Sequence, residues 1–320
     1  MTKRFLQAAF TVSFAALIAV AWLQQDALFD AWRLRGYSPP AEVSRLADVT
    51  TMTNNSRRLF YVYKPQLEDK SSFNSHCTGA EQTIVLGCYI KHRGIYLYSV
   101  PDPRLNGVVE VTAAHELLHA EYDRLSTGER QRIDKLTAEY AATIKDTRLN
   151  ETIENYRKKD PNVVPNELHS ILATEVKDLP DELEQHYSRY FTNRQKIVEL
   201  ADTYKQAFTA REAEVAAIDS QLASLKNQID SLNASLEAQQ ASLKAQFEQL
   251  QQAKRSENNE AYNEGVPAYN QSVARYNADV KFQRSLVAQY NELVERRNSL
   301  AVEENELIKA LDSRETIESQ

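Results

Sequence analysis

Glycine and proline are scarce in this chain of 320 residues, at seven and nine, and what there is of them is unevenly placed. Six of the seven glycines lie between Gly36 and Gly128, and after Pro180 the only other proline is Pro267. That distribution excludes a turn-rich fold over the second half and predicts a compact front half followed by long helices. An excess of positive charge is missing too. The formal net charge is -7 and no basic stripe stands out to neutralise phosphates, so nucleic-acid binding is excluded as the main task. Cysteine is limited to Cys77 and Cys88, eleven positions apart. In an extracytoplasmic protein the pair closes a short loop, a disulfide worth about 2 to 4 kcal/mol; in the cytosol both stay reduced.

Charge is also absent from Phe5 to Gln25, directly after Lys3 and Arg4. An uncharged apolar run of about 20 residues behind a positive flank is long enough to cross a bilayer as a helix. Residues 1–25 are therefore expected to be a transmembrane signal anchor, with the amino end cytoplasmic and the remainder extracytoplasmic. Ala19-Val20-Ala21 has the small-x-small form of a signal-peptidase site, and cleavage there would make the protein secreted. Residues 26–55, punctuated by Pro39-Pro40, read as a linker.

Against this background one pentapeptide stands out, His115-Glu116-Leu117-Leu118-His119. Residues four apart on a helix lie one above the other, so His115 and His119 present two imidazoles to a single metal ion. Glu116 is one step round, placed to take a proton from a zinc-activated water without filling a ligand position. The surroundings predict the helix this needs. Runs at 58–64, 83–90 and 94–100 are β-branched or aromatic and read as three strands, the last two joined by a turn. Asn106-Gly107 then turns the chain, with Asn106 capping a helix over 108–124. Ser126-Thr127-Gly128-Glu129 is a capping box that starts another helix, to about 145, and Pro165 opens one that runs to about 177.

A catalytic zinc takes three protein ligands and keeps one position open. The candidates for the third lie on the Pro165 helix: Glu167, with Glu175 as alternative and His169 after it. At Asn166-Glu167 the chain resembles the gluzincin metallopeptidases, in which a helix-borne Glu, often preceded by Asn, follows the H-E-x-x-H helix as third ligand. Thr112-Ala113-Ala114 fits the extended pattern, whereas Glu121 and Ile171 depart from it. The resemblance covers about residues 56–195. It implies an α+β fold, with a small zincin-like catalytic domain of short β-sheet plus helices, Zn2+ as cofactor, and a strand pair bordering a substrate cleft. An oxyanion donor is also required, for which Tyr187 and Tyr190 are candidates, with His186 and His169 behind them. Asp123 is placed to orient a histidine.

From about residue 196 to 313 the pattern is heptad. Leu222, Ile229, Leu236, Leu243 and Leu250 share position a, with Ile218, Leu225 and Leu232 at d and Gln239 and Gln246 continuing that row. A second array has Val266, Val273, Val280, Val287 and Val294 at a and Tyr262, Tyr269, Tyr276 and Tyr290 at d, each tyrosine followed by Asn. The arrays are out of phase across Ser256-Glu257-Asn258-Asn259, so an antiparallel coiled-coil hairpin is expected, a parallel dimer being the alternative. Residues 314–320 form a tail. The expected protein is thus a hydrolase acting on peptides or proteins, anchored to the membrane, with the coil available for a protein partner or self-association. The competing reading is a non-enzymatic cell-envelope coiled-coil scaffold with a structural or vestigial metal site.

Overall fold

A computed structural model describes residues 24–77 and 85–314. Among the described residues helix makes up 76%, against three short strands, so the expected α+β zincin-like domain is corrected to a mostly helical architecture. Much of the difference arises where β-propensity yields to burial. The run Arg58-Leu-Phe-Tyr-Val-Tyr-Lys64, expected as a strand, falls largely within helix α3 (Asn54–Val62). Thr53 caps it by accepting from the Ser56 N–H, and Leu59, Phe60 and Val62 bury one face. The expected linker is helical as well: α1 (Gln25–Leu34) and α2 (Ala41–Val49) precede α3, and Val43, Leu46 and Ala47 enter the core.

No helix among the described residues is long and apolar enough to cross a membrane. The single-pass membrane localisation is corrected on that finding. Residues 1–23, which hold most of the apolar run and Ala19-Val20-Ala21, lie outside the described residues, as do 315–320 of the expected tail.

The chain divides into two units, Met1–Ala207 together with Leu307–Gln320, and Phe208–Glu306. In the first, strand β1 (Gln66–Glu68) runs parallel to β3 (Gly94–Tyr98), and β2 (Gly87–Ile90) pairs antiparallel on the other side of β3, with Cys88 opposite Tyr96. The strands expected over 83–90 and 94–100 thus shorten. Between β1 and β2 lies α4 (Lys70–His76), and a disulfide joins Cys77 at its end to Cys88, with Cα atoms 5.9 Å apart.

The centre of this unit is α5 (Val108–Asp123), whose Ala113, Ala114, Leu117, Leu118 and Ala120 are fully buried. Small residues on that face let α8 (Val164–Glu175) approach, and Leu172 and Ala173 join the same core. The cap of α5 is Gly107 rather than Asn106: its φ is +100°, and a Cβ there would lie 2.7 Å from the Leu200 carbonyl oxygen. Next come α6 (Thr127–Ala141), opened by the Ser126–Glu129 capping box, α7 (Thr147–Lys159) and, after α8, α9 (Asp181–Tyr187). Arg194, only 4% exposed, terminates α8. Its guanidinium donates to the carbonyls of Ala173, Val176 and Lys177 and pairs with Glu184, satisfying acceptors that a helix end leaves open.

The two longest helices, α10 (Gln195–Arg255) and α11 (Asn259–Leu311), begin and end in the first unit and make up the second. Within the second unit they pair antiparallel: Arg211 meets Glu303, Asp219 meets Arg297, Asn233 meets Gln283 and Gln239 meets Asp279. Ile218, Leu250, Leu286 and Leu300 are buried along the seam. The tyrosines of the Tyr-Asn array are half-buried there, and their asparagines are exposed. Gly265 allows close approach near the turn, where a Cβ would stand 2.7 Å from Leu250 Cδ2.

Candidate metal centre

Helix α5 presents His115, Glu116 and His119 with potential ligand atoms within 4.8 Å of one another. Glu167, in the first turn of α8, reaches both histidines: Oε2 lies 3.4 Å from His115 Nε2, and Oε1 lies 3.7 Å from His119 Nε2. Proline in that turn starts the helix at no hydrogen-bond cost, which fixes where Glu167 falls. Burial raises the Glu167 pKa, but His115, His119 and the nearby Tyr156 hydroxyl outweigh it and hold the carboxyl below its ordinary value. Yet Glu167 Oε2 is buried without a hydrogen-bond partner. Such an atom is costly unless something completes it.

His119 Nδ1 lies 3.0 Å from Asn166 Oδ1, and the Ser170 hydroxyl is 3.3 Å from the same nitrogen. With Asn166 accepting through Oδ1, a neutral His119 would carry its proton on Nδ1 and present Nε2 toward Glu167. Two imidazole nitrogens and one orphaned carboxylate oxygen therefore converge, with a hydrogen bond setting one tautomer. This donor set fits a divalent ion of the zinc type.

Glu175 is placed otherwise. Its Oε2 lies 2.6 Å from Arg148 Nη2 and 2.9 Å from Lys205 Nζ, and these cations overcome the effect of burial to hold its pKa below the ordinary value. His169 is turned away from the centre: its Nε2 lies 2.9 Å from His186 Nε2 in the interior. Tyr187 donates to the His169 carbonyl at 2.9 Å, and the Tyr190 hydroxyl is 3.4 Å from His186 Nε2. Neither of these tyrosines lines the cleft beside His115 and Glu116. Asp123 serves Tyr89 and Lys91 rather than a histidine. The departure at Glu121 also has a local reason, since its carboxylate accepts from Ser56 Oγ on α3.

That cleft has a volume of about 540 Å³ and runs between Val85–Tyr89 on one side and α7 and α8 on the other. Glu116 faces it at 5% exposure. Burial pushes its carboxyl up to about 7 and the Glu167 charge adds to that, while His119 and the Tyr89 backbone N–H pull the other way. Gly87 makes the arrangement possible. A Cβ there would lie 2.5 Å from Thr112 Cγ2, 2.8 Å from Glu116 Cγ and 2.9 Å from Glu116 Oε1. Gly87→Ala is therefore expected to displace Glu116 or β2, with a stability cost of about 1 to 3 kcal/mol. If the site is catalytic, kcat/KM falls about 100-fold with zinc retained. Denaturant melts, metal analysis and kinetics on the one variant check all three, and wild-type kinetics would show that Glu116 does not depend on this close approach.

Tyr156, on α7, is the residue that pattern reading missed. It lines the cleft, and burial, the charges of Glu167 and Glu116 and a hydrogen bond to Glu167 push its pKa up, so the phenol stays protonated as a donor beside the site. The signal was present. Asp146 caps α7 by accepting from the Leu149 N–H, and Leu149, Ile153 and Tyr156 follow at helical spacing.

The buried histidine pair carries a pH dependence of stability. Burial, then Arg189, lowers the His186 pKa from 6.5 to about 4. Between those values the unfolded chain binds a proton at this site that the native state does not, so the contribution of His186 is complete above pH 6.5 and is lost as pH falls toward 4. Single-site linkage puts the loss at about 3 kcal/mol. Urea titrations at several pH values should show His186→Leu losing less stability than wild type over this window; parallel losses would remove His186 as the cause.

No protein family, curated protein or solved structure matches the chain.

Proposed function

We propose that this protein is a zinc-dependent metallopeptidase, with His115, His119 and Glu167 holding the ion and Glu116 acting as general base. The observation that carries this reading is the convergence of two Nε2 atoms, 3.4 and 3.7 Å away, on the buried Glu167 carboxylate beside a cleft. When bound, zinc supplies Lewis acidity for a peptide carbonyl and acidifies water. The remaining steps belong to the chain. Glu116, its proton affinity raised by burial, accepts a proton from the attacking water and delivers it to the leaving amine. Tyr156 donates a hydrogen bond to the carbonyl oxygen as that atom gains charge, in place of the two tyrosines singled out from sequence. Asn166 keeps His119 in the tautomer that leaves Nε2 free.

The test is zinc titration of chelator-stripped protein combined with digestion of a peptide library read by mass spectrometry. The expected result is one zinc per chain and cleavage that disappears on chelation and returns with zinc. Stoichiometric zinc with no cleavage of any library member would replace the enzyme by a scaffold that uses its metal structurally.

A further inference from the structure

The hairpin unit is inserted between two segments that both belong to the first unit. The segment before it, the first turns of α10, stands on the helical side of the cleft. Tyr204 lines the cleft, Lys205 pairs with Glu175 at the end of α8, and Leu200 packs against Gly107 at the start of α5. The segment after it stands on the strand side. Leu307 is fully buried, and Ser313, 3% exposed, donates its hydroxyl to the Val85 carbonyl at 2.6 Å. Its own carbonyl accepts from Asn74 Nδ2 on α4, whose Phe73 packs on Tyr96 and Tyr98.

Val85 is the first described residue of the run that leads into β2, and Val85 through Tyr89 line the cleft. β2 pairs with β3 along one side. The disulfide fixes its middle at Cys88, and Leu86 is held by the Tyr98 N–H at 2.8 Å, whereas Val85 is held by Ser313. The pairing with β3 therefore ties the wall from Ile90 back to Leu86, and Val85, the cleft residue beyond that ladder, depends on Ser313 for its place.

We propose that residues 307–313 are a structural part of the cleft and that Ser313 is a positioning residue, holding Val85 and with it the strand wall against which substrate lies. The inference rests on the peptidase reading for its substrate, and on hydrogen bonding alone for its effect on β2. Hydrogen exchange of full-length, zinc-loaded Ser313→Ala tests it together with peptide kinetics. Amides of 86–90 are expected to exchange about 10-fold faster than in wild type, while those of α6 do not change. KM rises about 3- to 10-fold, the range one lost hydrogen bond produces, with kcat within about twofold and zinc content unchanged. Ser313→Thr, which keeps the hydroxyl, returns both readouts toward wild type.

Unchanged exchange at 86–90 in Ser313→Ala overturns the assignment. So does an equal acceleration in α6, which would make Ser313 a general stabiliser. Exchange needs no turnover, so freed β2 amides in a protein that cleaves nothing would retain this wall and remove the peptidase reading.

Discussion

In Glu116→Gln, the peptide cleavage proposed above is expected to fall by about 100- to 10,000-fold, the range a positioned general base contributes, with zinc content expected at the wild-type level. Glutamine has nearly the size and shape of glutamate, and its amide oxygen still accepts from the Tyr89 N–H that touches Glu116. What it lacks is basicity. Glu116 is buried, and its carboxyl is pushed up to about 7, first by burial and then by the charge on Glu167. A carboxylate so placed takes a proton more readily than an exposed one at the same pH. The measurement is steady-state kinetics beside metal analysis on the same preparation. Wild-type turnover would mean that Glu116 is not the base, and loss of zinc would move it among the ligands.

Glu167→Ala is expected to lose the metal, and Glu175→Ala to keep it. Removing an outer partner of a metal ligand costs about 10- to 100-fold in affinity, so removing a ligand itself should cost more. Glu167 is within 3.4 and 3.7 Å of the two histidine Nε2 atoms, and its Oε2 has no hydrogen-bond partner. Glu175 is accounted for by Arg148 and Lys205 at 2.6 and 2.9 Å. Its removal takes one buried counter-charge from Arg148 and Lys205, so Glu175→Ala should melt earlier yet bind zinc. Asn166→Ala belongs between the two, weakening zinc about 10- to 100-fold through the freed His119 ring. Zinc retained by Glu167→Ala and lost by Glu175→Ala would reverse the assignment.

What could be read in the sequence follows from how local each signal is. His115, Glu116 and His119 share one helix, so spacing alone groups them, and Asn166-Glu167 just after a helix-opening proline fixes a second short segment. For Tyr156 the sequence carries its helix but not its approach to Glu167, which depends on how α7 packs beside α8. Tyr187 and Tyr190 failed for the same reason in reverse: they follow the ligand helix in sequence but turn into the interior around His169 and His186. The helical character of the front half was hidden by local β-propensity. Aromatic and β-branched residues at 58–64 favour a strand wherever burial is not decisive, and here the Thr53 cap and a buried face made them a helix. Arg194 gave no signal either, since a buried arginine looks like any other until the carbonyls it satisfies are in place.

The tie between Ser313 and Val85 spans 228 residues of chain, and that distance has a consequence for the order of folding. Contacts so remote in sequence form slowly, because the intervening loop must be closed before they stabilise anything. Antiparallel pairing of α10 and α11 shortens that search: once Arg211 meets Glu303, 92 positions away, the chain between them no longer lengthens the loop to be closed. The hairpin is built from local pairings near its turn and can zip early. In refolding, helical signal should therefore recover before amides at 86–90 become protected, and a chain cut within the hairpin should regain its helices while its strand wall stays exposed to exchange. Simultaneous recovery of both would instead mark a single concerted step.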